Sequence, residues 1–181
     1  RLEESDRRLL EAASVEGEAF SAAVAARLVD AEEVDVEDRL RRLAARHRLV
    51  EPAGETEYPD GSSAQRFRFA HSLYQHAFYD ELTPKRRELW HRRAAEELER
   101  LHAPRPAGVL AQLAVHWEKG RDFRRAIEKS LAAADVAAWR NPKDARPFLD
   151  KALALASRLP EEEARAERAS LLVRLGRHDA E

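Results

Sequence analysis

Hydrophobic and polar positions keep a helical period, switch briefly to the period of a strand, and return to helix for the rest of the chain. Leu2, Leu9, Leu10 and Ala13 predict a helix over 3–13, which Ser14-Val-Glu-Gly17 breaks. Phe20-Ser21 predicts the opening of a short second helix through Val24 and Leu28, with Ser21 as its cap. Val36, Leu40, Leu43, Ala44 and His47 form the stripe of a third helix. Its lead-in, Asp30, Glu32, Glu33 and Asp35, is acidic and suits the positive end of a helix dipole. Leu49-Val50-Glu51 predicts a short strand stopped by Pro52. Gly54, Pro59 and Asp60-Gly61 supply turn chemistry over 53–63. Residues 65–70 then alternate, with Phe67 and Phe69 on one face and Arg66 and Arg68 on the other, as a half-buried strand does.

At His71 the period changes. Leu73, Tyr74, Ala77, Phe78 and Leu82 predict a helix with an apolar stripe, so that a strand runs directly into a helix with His71 at the junction. Thr83-Pro84, a cap followed by a proline at the first helical position, starts another helix to about 101, with Trp90, Ala94, Leu98 and Leu101 facing inward. Pro104 and Pro106 punctuate the chain and are candidate hinges. Helices follow over 109–117, over 122–140 to the stop at Asn141-Pro142, and over 144–159 to Pro160; a last one runs from the glutamates after Pro160 to Leu175-Gly176.

Three helices followed by a two-stranded hairpin is the order of a winged helix, and helices with short joints suggest stacked antiparallel pairs. Ala126, Ser130 and Ala133, and likewise Ala145, Leu149 and Ala152, sit at i, i+4, i+7, where small residues let helices approach closely. Gly120-x-Asp-Phe-x-x-Ala126 and Leu175-Gly-Arg-His-Asp-Ala180 look like the loop before the second helix of a tetratricopeptide unit. The two alanine patterns lie 19 residues apart, against a repeat period of about 34. The expected fold class is therefore mainly α: a winged-helix domain over 1–82, a linking helix over 83–105, and tetratricopeptide-like α-solenoid helices over 106–181.

Composition narrows the function more than it defines it. Of 181 residues, 44% are hydrophobic and 36% charged, enough for a core and too apolar for disorder. There is no cysteine, so disulfides and thiolate metal sites are excluded. No apolar run approaches the ~20 residues that cross a bilayer, and no signal peptide opens the chain, so a soluble, cytoplasmic protein with no membrane partner is expected. The absent initiator methionine and an end inside a helical pattern predict a fragment of something longer. Residues 1–103 carry 17 Lys and Arg against 22 Asp and Glu, and residues 104–181 carry 15 against 12. An acidic first half is a poor footprint for nucleic acid, and Glu37 and Asp38 stand in the first turn of the third helix, where a recognition helix meets base edges; direct nucleic-acid binding by Arg39, Arg41, Arg42, Arg46 and Arg48 is disfavoured.

No catalytic motif is visible. Gly-x-Ser-x-Gly, a phosphate loop and His-Glu-x-x-His are all missing, and His71 and His76, five apart, do not share one helical face, so neither catalytic nor metal residues are expected. His47 and His116 lie on or beside apolar stripes and read as core or boundary residues. His71 is the one candidate functional residue.

The blocks Leu9-Leu-Glu-Ala-Ala-Ser-Val-Glu-Gly-Glu-Ala-Phe20, Phe67-Arg-Phe-Ala-His-Ser-Leu73 and Arg86-Arg-x-Leu-x-His-Arg-Arg93 resemble the winged-helix segment of STAND signal-transduction ATPases. The resemblance is to large bacterial proteins that join such an ATPase to a helical-repeat sensor and to a LuxR-type DNA-binding or a cyclase domain. In the related NB-ARC branch this junction carries Met-His-Asp, whose histidine reaches the β-phosphate of ADP. Ala70-His71-Ser72 keeps the histidine and replaces both neighbours. The resemblance implies a non-catalytic regulatory fragment with no cofactor of its own, whose His71 contacts ADP or ATP, with Mg, held by an upstream ATPase domain. It implies a protein or small-molecule effector on the repeats. The alternative is a free-standing winged-helix DNA-binding regulator with a helical effector or dimerisation domain.

Overall fold

The computed structural model describes residues 2–165, 168, 171 and 172. They are mainly helical, with a small three-stranded antiparallel sheet, and the chain divides into two compact units, 1–104 and 105–181. Among the described residues no helix is long and apolar enough to cross a membrane.

The first unit runs α1 (Glu4–Ala13), β1 (Ala19–Ser21), α2 (Ala22–Val29), α3 (Glu33–His47), β2 (Val50–Glu57), β3 (Ser63–Phe69), α4 (Ser72–Asp80) and α5 (Pro84–His102). The sheet order is β1-β3-β2, which makes it one strand wider than the predicted hairpin. Phe20 lies in that extra strand and not at the start of a helix: Ala19, Phe20 and Ser21 face Arg68, Phe67 and Arg66. Three residues form a strand only when a partner is at hand, and that partner lies far along the chain. Ser21 still caps α2, its hydroxyl accepting from the Ala23 amide at 3.2 Å.

Pro52 does not stop β2. The strand continues through it to Glu57, because β2 is a sheet edge whose missing amide is not needed for pairing. The register shifts between Pro52 and Glu55, and Gly54 takes φ +92° there, a conformation open to glycine at little cost. The hairpin turn is correspondingly shorter than predicted, 58–62.

Leu9, Leu10, Phe20, Leu40, Leu43, Val50, Phe67 and Phe69 form one core in which three helices meet the sheet. Phe20 lies 6.1 Å from Phe67 and 5.3 Å from Phe69, ring centre to centre, aromatic spacing that adds to area burial. The helix expected as a linker, α5, packs on α2 inside this unit and buries Trp90, Ala94, Leu98 and Leu101 as its stripe requires. Thr83 caps it, accepting from the Arg86 amide at 3.4 Å. His47, read from its stripe as core or boundary, is exposed: it is the last residue of α3, whose buried stripe is Val36, Leu40 and Leu43.

The second unit runs from a 3-10 turn (Pro106–Gly108) through α6 (Leu110–Lys119), α7 (Phe123–Arg140), a second 3-10 turn (Pro142–Ala145) and α8 (Arg146–Ala156); residues 161–165 are again helical. α7 packs against both α6 and α8, and the joints are short. These positions, a larger residue between two alanines in each set, are buried as spacing requires: Ala126, Ser130 and Ala133 on α7, and Ala145, Leu149 and Ala152 in and before α8. Ser130 satisfies its hydroxyl by donating to the Ala126 carbonyl at 2.8 Å. In the α6–α7 joint Arg121, not Gly120, takes the positive φ, and Asp122 caps α7 by accepting from the Arg125 amide at 3.1 Å. The second loop pattern, 175–180, and the predicted end of the last helix lie outside the described residues.

Candidate functional site

The site is built where β3 becomes α4. The end of β3 is held from both sides: the Phe69 amide donates to the Glu18 carbonyl at 2.8 Å and the Ala70 amide to the Leu49 carbonyl at 2.9 Å. Phe69 is buried beneath this corner, with Phe78 of α4 6.2 Å away. The backbone at His71 is extended (φ −148°, ψ 140°), and His71 is the N-cap of α4.

The cap is made by the imidazole itself. Nδ1 accepts from the Leu73 amide at 3.1 Å, the role usually taken by a serine, threonine or aspartate oxygen. A ring nitrogen that accepts carries no proton, so the neutral ring holds its proton on Nε2. His71 is exposed, and its ring stands edge-on to Tyr74 at 6.3 Å. Local helix chemistry therefore presents a single N–H donor at the surface.

α4 corrects a second expectation. No residue of this helix is buried, and Leu73 and Tyr74, read as an inward stripe, are 66% and 41% exposed. Only Phe78 rests on the core, and Leu82, just past the helix, is buried. The nine-residue helix is instead held by polar ties: Gln75 donates to the Ser14 carbonyl at 2.8 Å, and Arg7 pairs with Glu81. Next to it, the Tyr79 hydroxyl meets Nε2 of the buried His91 at 2.9 Å, and the Arg87 guanidinium lies over the Tyr79 ring at 4.3 Å while donating to the Tyr79 carbonyl at 3.0 Å. Burial raises the Tyr79 phenol above its ordinary range. This cluster ties the end of α4 to α5.

His76 is exposed on the same helix, and among the described residues no group of three or more His, Cys, Asp or Glu is placed to hold a metal. A second polar group that the sequence did not reveal lies under β1. Glu16 accepts from the Ser21 amide at 3.1 Å, and burial pushes its carboxyl up to about 7, the Ser21 amide and the nearby Arg66 opposing that shift. Burial likewise raises the Tyr58 phenol of the same cluster. No local pattern marks Glu16, because Tyr58 and Arg66, whose charges act with its own, lie far along the chain.

The chain matches no protein-family model, no curated protein and no solved structure.

Proposed function

We propose that residues 1–104 are a winged-helix regulatory module of a STAND-type signalling ATPase, and that the helices from 105 onward begin a tetratricopeptide-like array that receives a protein or small-molecule effector. In this reading the module performs no chemistry. It lends the Nε2–H of His71 to the β-phosphate of an adenine nucleotide, with its Mg, held on an adjoining ATPase domain in the same chain. The order α1-β1-α2-α3-β2-β3 and the sheet order β1-β3-β2 support the winged-helix reading; the buried small residues of α7 and α8 support the repeat reading.

The observation that carries the proposal is the exposed imidazole whose Nδ1 is already taken by the Leu73 amide. A histidine placed this way has one donor left and nothing to choose between. A hydrogen bond to a charged phosphate contributes about 1.5–3 kcal/mol, enough to bias a two-state switch without giving the module nucleotide affinity of its own. The exposed Leu73 and Tyr74 beside it give the adjoining domain apolar surface to cover. In a chain that contains the ATPase domain, His71→Ser should keep the cap and shorten ADP retention. Unchanged ADP retention in that variant would remove the basis of the proposal.

The rival reading, a free-standing DNA-binding regulator, places α3 in a DNA groove. Its first turn carries Glu33 and Asp35, and Arg39 and Arg41 are engaged by Asp6 and Glu37. A mobility-shift titration across salt separates the two, since phosphate-driven binding weakens steeply as salt rises.

A further inference from the structure

A cleft of about 440 Å³ opens between the start of α1 and the second half of α3, lined by Glu3, Ser5 and Asp6 on one side and by Arg39, Arg42, Arg46 and His47 on the other, with the buried Leu43 as its floor. It shares no residue with the His71 site. Arg39, Arg42 and Arg46 fall at i, i+3, i+7, one stripe of the helix over roughly 10 Å. Arg39 is answered: Nε and Nη2 both donate to Asp6 Oδ1, at 3.2 and 3.0 Å. Arg42 and Arg46 are exposed and have no acidic partner among the described residues, whereas Arg41, on the neighbouring face, has Glu37.

One cation near a helix C-terminus is favoured by the dipole. Three on a single stripe repel one another; Asp6 is fixed on Arg39, and Glu3, the other carboxylate of the lining, forms no ion pair with Arg42 or Arg46. We propose that this cleft is a binding site for a compact phosphate-bearing anion, a di- or triphosphate group, gripped by the Arg42 and Arg46 guanidinium forks. Each fork matches two oxygens of a phosphate, and two forks one helical turn apart suit linked phosphates better than a single carboxylate. The size of the cationic area decides against a duplex. Glu37 and Asp38 precede it on α3 and the Glu3 and Asp6 carboxylates line its other wall, so it offers a few phosphates and no track along a backbone. The lining is equally unsuited to a peptide anchor, since Leu43 is its only apolar residue.

Sodium tripolyphosphate titrated into the 181-residue chain at low salt, followed by the Arg Nε–H resonances in 1H–15N spectra, tests this. Saturable shifts of Arg42 and Arg46 are expected, fading as salt is added. Arg42→Gln/Arg46→Gln should weaken binding by at least about tenfold, and Arg41→Gln should leave it within about twofold. Three results would overturn the proposal: no saturating shift up to about 1 mM ligand in the unaltered chain; equal weakening by Arg41→Gln, which means diffuse charge and no site; or tighter binding of random duplex DNA at equal phosphate concentration. Because the first reading uses the unaltered chain, a double variant that fails to fold still leaves the proposal refutable.

Discussion

His71 caps α4, and the proposal gives the same imidazole a phosphate contact; a pair of substitutions pulls the two apart. His71→Ala removes the acceptor of the Leu73 amide and leaves the first turn of α4 open. Loss of an N-cap costs about 0.5–2 kcal/mol, and α4 has little to compensate with, since none of its residues is buried. His71→Ser restores an oxygen acceptor at the same position and should return the stability to within about 0.5 kcal/mol of the original. For a unit of this size, 1 kcal/mol moves the midpoint of melting by about 4–8 °C. Trp90 is the one tryptophan of residues 1–104, so 19F spectra of the 5-fluorotryptophan-labelled chain read this unit apart from Trp117 and Trp139. The Trp90 signal should report early melting for the Ala variant and not for the Ser variant. In a chain that carries the proposed ATPase domain, both variants should lose ADP faster, by about tenfold or more, because neither presents the Nε2 donor. Equal stability of the Ala variant and the original would refute the cap; retention of ADP by the Ser variant would refute the phosphate contact while leaving the cap intact.

Further expectations follow from burial and charge. Glu16 has its folded value raised to about 7 from an ordinary 4.5, so its protonated form is favoured by folding; its contribution to the first unit is complete below pH 4.5 and about 3 kcal/mol of it is lost as pH climbs through 7, and Glu16→Gln, which keeps an acceptor for the Ser21 amide, should remove that component of the pH dependence in denaturant titrations of the Trp90 signal. His116 in the second unit runs the other way: burial, aided by Lys119, lowers it to about 4, so its contribution to stability is complete above pH 6.5 and falls by about 3 kcal/mol towards pH 4, read by the Trp117 signal. Phe20→Ala should cost about 3–5 kcal/mol, since Phe20 is fully buried between Phe67 and Phe69; a loss under 1 kcal/mol in urea unfolding would contradict the third strand. Leu73→Gln should change the stability of the isolated chain by less than about 0.5 kcal/mol, and a core-sized loss would mean that α4 turns its stripe inward after all.

Most helices were legible in the sequence because the signals that make them are local. Asp122 and Thr83 cap helices within three residues of themselves, and the Trp90-Ala94-Leu98-Leu101 stripe needs only its own period. The strand-to-helix junction at His71 was legible for the same reason, since alternation and helical stripe meet there. That His71 is its own helix cap was not: histidine is rarely read as a capping residue, although its Nδ1 has the acceptor geometry.

The parts that stayed hidden depend on partners distant in the chain. β1 is a strand because β3 lies beside it, and Pro52 continues β2 because β2 has an open edge. The charge state of Glu16 is set by what buries it, and which of three arginines on one stripe is paired within the unit is decided by an aspartate on α1. The exposed face of α4 shows the limit most plainly, since its apolar spacing is that of a core helix. Periodicity tells which side chains share a face; only the tertiary packing tells whether anything covers it, because burial is a property of the surface removed from water by other elements and not of the helix that carries it.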